Sequence, residues 1–284
     1  MLNKNVCVIG MGYIGLPTSI LLASKNFTVY GFDKNLKVLE NIKKHNVNFN
    51  EPGLKKLLKK TLNKKLILSS ELKPSDIYII CVPTPVKKVN NNHKSDISMV
   101  MDCINKMKYF LKPKDTIIIE STCPPGTTKK IERILNDFLS FKNDLKIAYC
   151  PERILPGKIL YELKNNDRII GGINKKSSSF VKKFYSYICN GKIIICSETA
   201  AEIIKIAENS YRDLNIGFAN SLSLICEKES QNVDEIIKLA NYHPRVNILK
   251  PGIGVGGHCI PVDPWFLIEK YPNFTKQALE TRNI

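Results

Sequence analysis

Short runs of Val, Ile, Leu and Tyr recur through the first two thirds of the chain, separated mostly by stretches with apolar residues at three- and four-residue spacing. The runs predict strands at Val6–Ile9, Thr28–Phe32, Leu66–Ser69, Ile77–Val82, Thr116–Glu120, Ile147–Cys150, Arg168–Gly171 and Ile193–Cys196. Near-continuous apolar runs suit strands buried on both faces, so their alternation with helical patterns predicts an α/β fold with a mostly parallel, helix-covered sheet. The texture changes at Glu198. From there to Glu229 the chain has no proline and one glycine, Gly217, with Ile203, Ile206, Ala207 and Leu214 at helical spacing. That predicts one long helix. A domain boundary is therefore expected near residue 197, with an all-helical module over 198–284. The Asn-rich stretch Val89 to Lys94 reads as an exposed loop.

Composition adds bounds. The chain has 284 residues, 43% of them hydrophobic, enough for one large or two medium domains. No apolar run approaches the ~18 residues of a membrane span, and Met1 to Asn5 shows no signal-peptide pattern, so membrane insertion is not expected and the expected compartment is the cytoplasm. The nine cysteines form no Cys-x-x-Cys pair, and Cys7, Cys81 and Cys196 sit in apolar runs, which suits reduced core thiols. No metal site is expected. The net charge of +17 comes from scattered pairs such as Lys55-Lys56, Lys87-Lys88 and Lys182-Lys183, without a basic block or interleaved aromatics. Such a field attracts anionic substrates more readily than it builds a nucleic-acid surface.

The first chemical motif is Gly10-Met11-Gly12-Tyr13-Ile14-Gly15, which follows the first predicted strand and opens a helical pattern. In a Rossmann-like unit Gly10 makes the tight turn, Gly12 lets the backbone approach a pyrophosphate, and Gly15 allows close helix packing. Asp33, 18 residues after Gly15 at the end of the next strand, is placed to accept ribose hydroxyls. A carboxylate there repels a 2′-phosphate and favours NAD over NADP. Val82-Pro83-Thr84-Pro85 and Ser121 to Thr127 fall where strands of such a sheet end, either as rim loops of the ligand crevice or as proline-stiffened turns.

Two further features carry candidate chemistry. Lys205 and Asn209 are spaced i, i+4 and share one face of the long helix, where an amide can donate to a developing oxyanion; a solvated helix face would show the same spacing. The segment Gly252 to Phe266 presents Cys259 beside His258 after Gly254, Gly256 and Gly257, with Asp263 four residues on. A glycine cradle lets backbone approach a ligand, and a nearby cation lowers a thiol pKa toward the range where it is a nucleophile.

These residues, with Pro151-Glu152-Arg153, resemble in order and spacing the nucleotide-sugar dehydrogenases that include UDP-glucose and GDP-mannose dehydrogenases. The resemblance covers nearly the whole chain. It implies NAD-dependent oxidation of the C6 alcohol of a UDP-sugar to a carboxylate in two steps, with Cys259 as nucleophile through a thiohemiacetal and a thioester. It further implies that Lys205 and Asn209 hold the oxyanion, that Asp263 and Thr122 position the hydrolytic water, and that Glu152 serves in substrate positioning or proton transfer. Gly10, Gly12, Tyr13, Ile14, Gly15, Asp33, Pro83, Thr84, Ser121 and Thr122 are the implied cofactor residues. Glu152, Arg153, Lys205, Asn209, Arg212, Gly256 and His258 are the implied substrate residues, and the long helix is implied to build a homodimer. Val262, where UDP-glucose enzymes carry lysine, and Pro156, where they carry a second glutamate, depart from that branch. His258, Ile260, Pro264-Trp265-Phe266 and Asn166-Asp167-Arg168 are instead similar to the branch acting on UDP-N-acetylmannosamine, with UDP-N-acetylglucosamine 6-dehydrogenases as the alternative. Such enzymes continue into a third, UDP-binding domain. The sequence stops at Ile284, so the resemblance implies that this domain is absent and leaves a dimer without turnover as an alternative. A hydroxyacid dehydrogenase, which needs no catalytic thiol, is a further alternative.

Overall fold

The computed structural model describes residues 1–47, 49, 51–89, 92–141, 144–155, 157–252, 260–271 and 273. In chain order these form β1 (Asn5–Ile9), α1 (Gly15–Ser24), β2 (Thr28–Phe32), α2 (Leu36–Lys43), α3 (Leu54–Thr61), β3 (Leu66–Ser69), β4 (Ile77–Ile80), β5 (Val86–Val89) and β6 (Asn92–Ser95). There follow α4 (Ser98–Met107), β7 (Thr116–Ile119), α5 (Thr127–Phe138), β8 (Lys146–Tyr149), α6 (Ile159–Asn165), β9 (Arg168–Gly172), α7 (Lys175–Tyr185), β10 (Ile193–Ser197), α8 (Glu198–Lys228), α9 (Val233–Ala240) and α10 (Pro264–Ile268).

Eight strands make one sheet in the order β10-β9-β8-β7-β4-β1-β2-β3, matching the eight expected from the apolar runs. All neighbours are parallel except β8 and β9, which pair antiparallel through Ala148 with Gly172 and Tyr149 with Gly171. The central strands β1, β4 and β7 are almost wholly buried, in keeping with their mostly apolar content. Helix α1 is buried from Gly15 to Ala23, lying on the sheet with α3 and α6 against it. Burial of side chains such as Leu16, Ile20, Leu21 and Leu22 stabilises this layer by about 1.5–3 kcal/mol each. Asparagine has defined work in the framework: Asn35, Asn174 and Asn232 cap α2, α7 and α9 with their side chains. Asn26 and Asn63 take left-handed turns at φ 69° and 59°.

The chain divides into two compact units. The first is Met1–Thr84 with Ile97–Glu202, and the second is Pro85–Asp96 with Ile203–Ile284. One expectation is corrected here. The stretch Val89 to Lys94 is no simple loop, because β5 and β6 pair antiparallel from Val86 with Ser95 to Val89 with Asn92. The strand signal was hidden because lysines and other polar residues make up most of the ribbon, and an apolar contact among its described residues comes from Val86 at its root. Val86 packs with Val262 against Ile206, Phe266 and Leu267.

Candidate active site

In the first unit the topological switch lies at β1 and β4, because successive strands run to β2 and β3 on one side and to β7 and β8 on the other. The crevice beyond the carboxyl ends of β1 and β4 is therefore the ligand position for an open α/β sheet. The glycine loop spans it. Gly10 has φ +94°, and a Cβ there would lie 2.6 Å from the Cys81 carbonyl oxygen. A Cβ on Gly15 would overlap the Gly10 carbonyl oxygen and lie 3.3 Å from the Cys81 Cβ. A Cβ on Gly12 meets nothing within 4 Å. Gly10 and Gly15 are thus required by the chain's own packing, whereas exposed Gly12 leaves its backbone open to an approaching group. No side chain caps α1 at Ile14, and since the Leu16 amide donates to the Gly12 carbonyl at 3.2 Å and Pro17 has no N–H, the Gly15 amide is the first-turn donor that suits an anion.

Asp33 follows β2 and faces the same loop. Its Oδ2 accepts from the Met11 amide at 2.9 Å and its Oδ1 from the Asn35 amide at 2.8 Å. Each carboxylate oxygen has a second lone pair, so ribose hydroxyls can still be accepted while the amides fix the carboxylate's direction. Tyr13 packs edge-on against Phe49 at 4.9 Å, and burial followed by nearby Glu51 and Glu152 raises its hydroxyl pKa. Tyr13 and Glu152 therefore share one neighbourhood. Ser121 Oγ donates to the carbonyl of Val82 at 2.8 Å, tying together the loops that follow β4 and β7. Pro83 is exposed, and Thr84 and Thr122 are half-buried along that rim. Arg153 donates to the Asp167 carbonyl at 3.3 Å.

Among the buried carboxylates of this unit, Glu202 and Glu120 each tie separate elements together and went unrecognised in the sequence. Glu202, fully buried on the first turns of α8, accepts from the Gly126 amide at 2.6 Å, the Thr128 amide at 2.8 Å and the Thr128 hydroxyl at 2.7 Å. It caps α5, so the amides that open that helix already hold a carboxylate. Burial raises the Glu202 pKa and the three hydrogen bonds oppose the rise. The second, Glu120, accepts from the Tyr185 hydroxyl at 2.6 Å and lies 3.4 Å from Arg168 Nη1. Partner separations of 39 to 76 residues leave neither carboxylate a local sequence signal.

In the second unit α8 turns an unusual face inward. Lys205, Asn209 and Asp213 are 8%, 9% and 4% exposed, while Ile203 on the other side is 39% exposed. The helical period was legible, but the polar face is the buried one. Asn209 Nδ2 donates to Asp263 Oδ2 at 2.6 Å. Burial raises the Asp263 pKa, opposed by the charge of Lys205 and by the Asn209 bond. The structure thus brings Lys205, Asn209 and Asp263 together. Asp263 precedes α10, whose first residue is Pro264, but its carboxylate makes no cap bond to that helix and serves Asn209 instead. The hairpin holds α10: His93 stacks on Trp265 at 3.8 Å, and Glu269 accepts from the Ser95 amide and hydroxyl at 3.0 and 2.7 Å. Arg212 is exposed on α8. Gly256, His258 and Cys259 lie outside the described residues. Among the described residues, no helix is long and apolar enough to cross a membrane.

Comparison with known proteins agrees with this geometry. Residues 4–189 match the UDP-glucose/GDP-mannose dehydrogenase family, NAD binding domain, and residues 199–282 match the central domain of the same family. The chain is 48% identical over 281 residues to a UDP-N-acetyl-D-mannosamine dehydrogenase of Methanococcus maripaludis, covering 98% of this chain and 64% of that one. It is 44% identical to the Campylobacter jejuni protein of the same name, covering 99% of this chain and 71% of that one. A solved structure of a UDP-D-ManNAc dehydrogenase from Pyrococcus horikoshii superposes with a TM-score of 0.93 at 38% identity, covering 98% of this chain and 68% of that one. The chain thus spans a little under two thirds of the length of the first of these relatives. With a glycine loop shaped for a dinucleotide and both domain matches in series, the chain belongs to the UDP-glucose/GDP-mannose dehydrogenase family, and residues 4–189 are its NAD binding domain.

Proposed function

We propose that this chain carries the cofactor and catalytic parts of an NAD-dependent nucleotide-sugar 6-dehydrogenase, with UDP-N-acetylmannosamine as the favoured substrate. Residues 1–197 form the NAD-binding part and residues 198–284 the helical part that catalyses and dimerises. The observation that carries the reading is the buried Asn209 to Asp263 bond beside Lys205, a set of donors and one carboxylate four residues beyond Cys259. The choice of sugar rests on the names of the relatives and on Val262 and Pro156.

NAD, when bound, takes up one hydride in each of two oxidations. The thiolate of Cys259 adds to the C6 aldehyde left by the first, forming a carbon–sulfur bond and an oxyanion that becomes the thiohemiacetal hydroxyl on protonation. Lys205 and Asn209 stabilise that oxyanion; the amide gives one hydrogen to Asp263 and keeps the other for it. Loss of the second hydride and the hydroxyl proton leaves a thioester. Water then attacks its carbonyl carbon, the carbon–sulfur bond breaks, and the thiolate departs as the uronate forms. Asp263 suits the role of accepting a proton from that water, since burial moves its pKa from the ordinary carboxylate value toward the working pH. The family resemblance assigns Glu152 to substrate positioning or proton transfer and Thr122 to positioning the hydrolytic water.

The exposed apolar side of α8 supports a homodimer. Tyr211, Phe218 and Ile225 are 60%, 53% and 57% exposed at helical spacing with Ile203 and Leu214, a stripe that a second copy would cover. Light scattering at micromolar concentration should give twice the chain mass, and a monomer counts against the dimer. The activity test incubates the purified chain with NAD and a panel of UDP-sugars, alone and with the remaining third of a relative supplied, and follows NADH. Expected are two NADH per UDP-N-acetylmannosamine and a trapped intermediate at Cys259. Full turnover by Cys259→Ser would sink the thioester route, and preference for UDP-N-acetylglucosamine would move the substrate assignment.

A further inference from the structure

Beneath the rim of the first unit lies a buried cluster that the mechanism above does not use. Arg168 opens β9 and is 6% exposed. Its Nη1 lies 3.4 Å from Glu120 Oε1 and 3.7 Å from Cys150 Sγ, and its Cζ lies 4.3 Å from the centre of the Tyr185 ring. The Tyr185 hydroxyl donates to the same Glu120 oxygen at 2.6 Å, and Cys81 Sγ donates to Glu120 Oε2 at 3.2 Å. The guanidinium thus gathers groups from the ends of β7 and β8 and from α7, and Glu120 adds Cys81 at the end of β4.

The reversal of β9 makes this possible. Because β9 runs antiparallel to β8, its first residue reaches the end of the sheet where β4, β7 and β8 finish. Past the last ladder pair the two segments stay together, since Asn166 Nδ2 donates to the Arg153 carbonyl at 3.1 Å and Arg153 to the Asp167 carbonyl. What Arg168 holds is informative. Glu120 stands two residues before Thr122, and Cys150 stands two residues before Glu152.

We propose that Arg168 is a positioning residue that sets the Thr122 and Glu152 loops in one fixed relation through its simultaneous contacts with Glu120 and Cys150. The proposal rests on the reading of Thr122 and Glu152 as active-site residues. A buried ion pair is a poor source of stability, because desolvation of two charges offsets their attraction; fixing a register is the better-attested use. Arginine suits the task through its planar fork, which can face a carboxylate, a thiol and an aromatic ring at once, whereas an ammonium is a point charge.

The test is amide hydrogen exchange in the purified protein, comparing Ser121 to Cys123 and Glu152 to Leu155 with Gly10 to Gly15 as internal control. Arg168→Met should speed exchange in both rim segments by about tenfold or more and leave the glycine loop unchanged. Arg168→Lys should fail to restore both segments. If Arg168→Met does not fold, the double variant Glu120→Leu with Arg168→Met removes both charges together and keeps apolar volume, and the same loosening is expected in it. In turnover, kcat should fall about tenfold while KM for NAD stays within about twofold, since the contacts of Arg168 named above are with Glu120, Cys150 and Tyr185 and not with the glycine loop. Unchanged exchange, loosening of one rim segment alone, or uniform loosening across all three overturns the proposal. Thr122→Val and Glu152→Gln separate the two ideas: full turnover in both removes their catalytic assignment, and the exchange result stands apart from it.

Discussion

Gly12 and Gly15 sit three residues apart in one loop, and the structure gives them opposite dependencies. At Gly15 a methyl group would overlap the Gly10 carbonyl oxygen, with the Gly10 carbonyl carbon 3.1 Å away. An ordinary carbon–oxygen contact is about 3.3–3.6 Å, so Gly15→Ala requires the start of α1 to move off the Gly10 turn by more than about 1 Å. That helix is buried along Gly15 to Ala23 and cannot move without disturbing the layer around it. Overpacking of this kind costs about 3 kcal/mol at the upper end of its usual range, and in a domain of 150–250 residues each kcal/mol lowers Tm by about 2–4 °C. Gly15→Ala should therefore melt about 6–12 °C lower. Gly12→Ala adds a methyl where the chain has nothing within 4 Å, so its Tm should stay within about 1 °C. The same methyl would stand in the path of a pyrophosphate, and a loss of about 1.5–3 kcal/mol would weaken NAD roughly ten- to a hundredfold. Circular dichroism melts and fluorescence titration with NAD read both quantities. Unchanged NAD affinity in Gly12→Ala would refute the pyrophosphate role, and an unchanged Tm in Gly15→Ala would refute the packing argument.

Glu202→Ala strands two amides and a hydroxyl at the start of α5. With charge-assisted bonds contributing about 1.5–3 kcal/mol each, less the relief of burying a carboxylate, a net loss of about 3 kcal/mol and a Tm drop of at least about 6 °C are expected by calorimetry. Asp115 has its pKa raised by burial from 3.8 to about 6, so its contribution to stability is complete below the unfolded value and is lost as pH rises through about 6. Asp115→Asn keeps an acceptor for the Lys112 amide and should gain up to about 3 kcal/mol near pH 8; an equal gain near pH 4 in urea titrations would contradict the linkage. Asp33→Ala should weaken NAD much more than NADP, and equal losses in a cofactor titration would argue against ribose recognition.

The parts legible in sequence were those whose cause is local. Gly10 turns at φ +94° and Gly15 meets the carbonyl of that same turn, and the central strands β4 and β7 announce themselves because burial on both faces leaves them almost wholly apolar. The long helix was legible too, as was the sharing of one face by Lys205 and Asn209. What that face touches was not: Asp263 lies 54 residues from Asn209, and nothing in a run of helix formers says that the polar side is buried. The Glu202 cap and the Arg168 cluster failed for the same reason, since each joins residues from separate elements. The β5 and β6 ribbon failed for another. Its stability comes from α10, so its own sequence carries little strand signal.

That ribbon also fixes an order of events during synthesis. Ser95 is made 174 residues before Glu269, its partner, and at about 5–20 residues per second the wait is roughly 10–35 s. Through that interval Val86 and His93 have no Phe266 or Trp265 to cover them, while the first unit, complete by Glu202, can already close. Nor can a single cut separate the units. A fragment ending at Glu202 keeps the ribbon without its support, so the separable form of the first unit is one in which a short glycine linker replaces Pro85–Asp96.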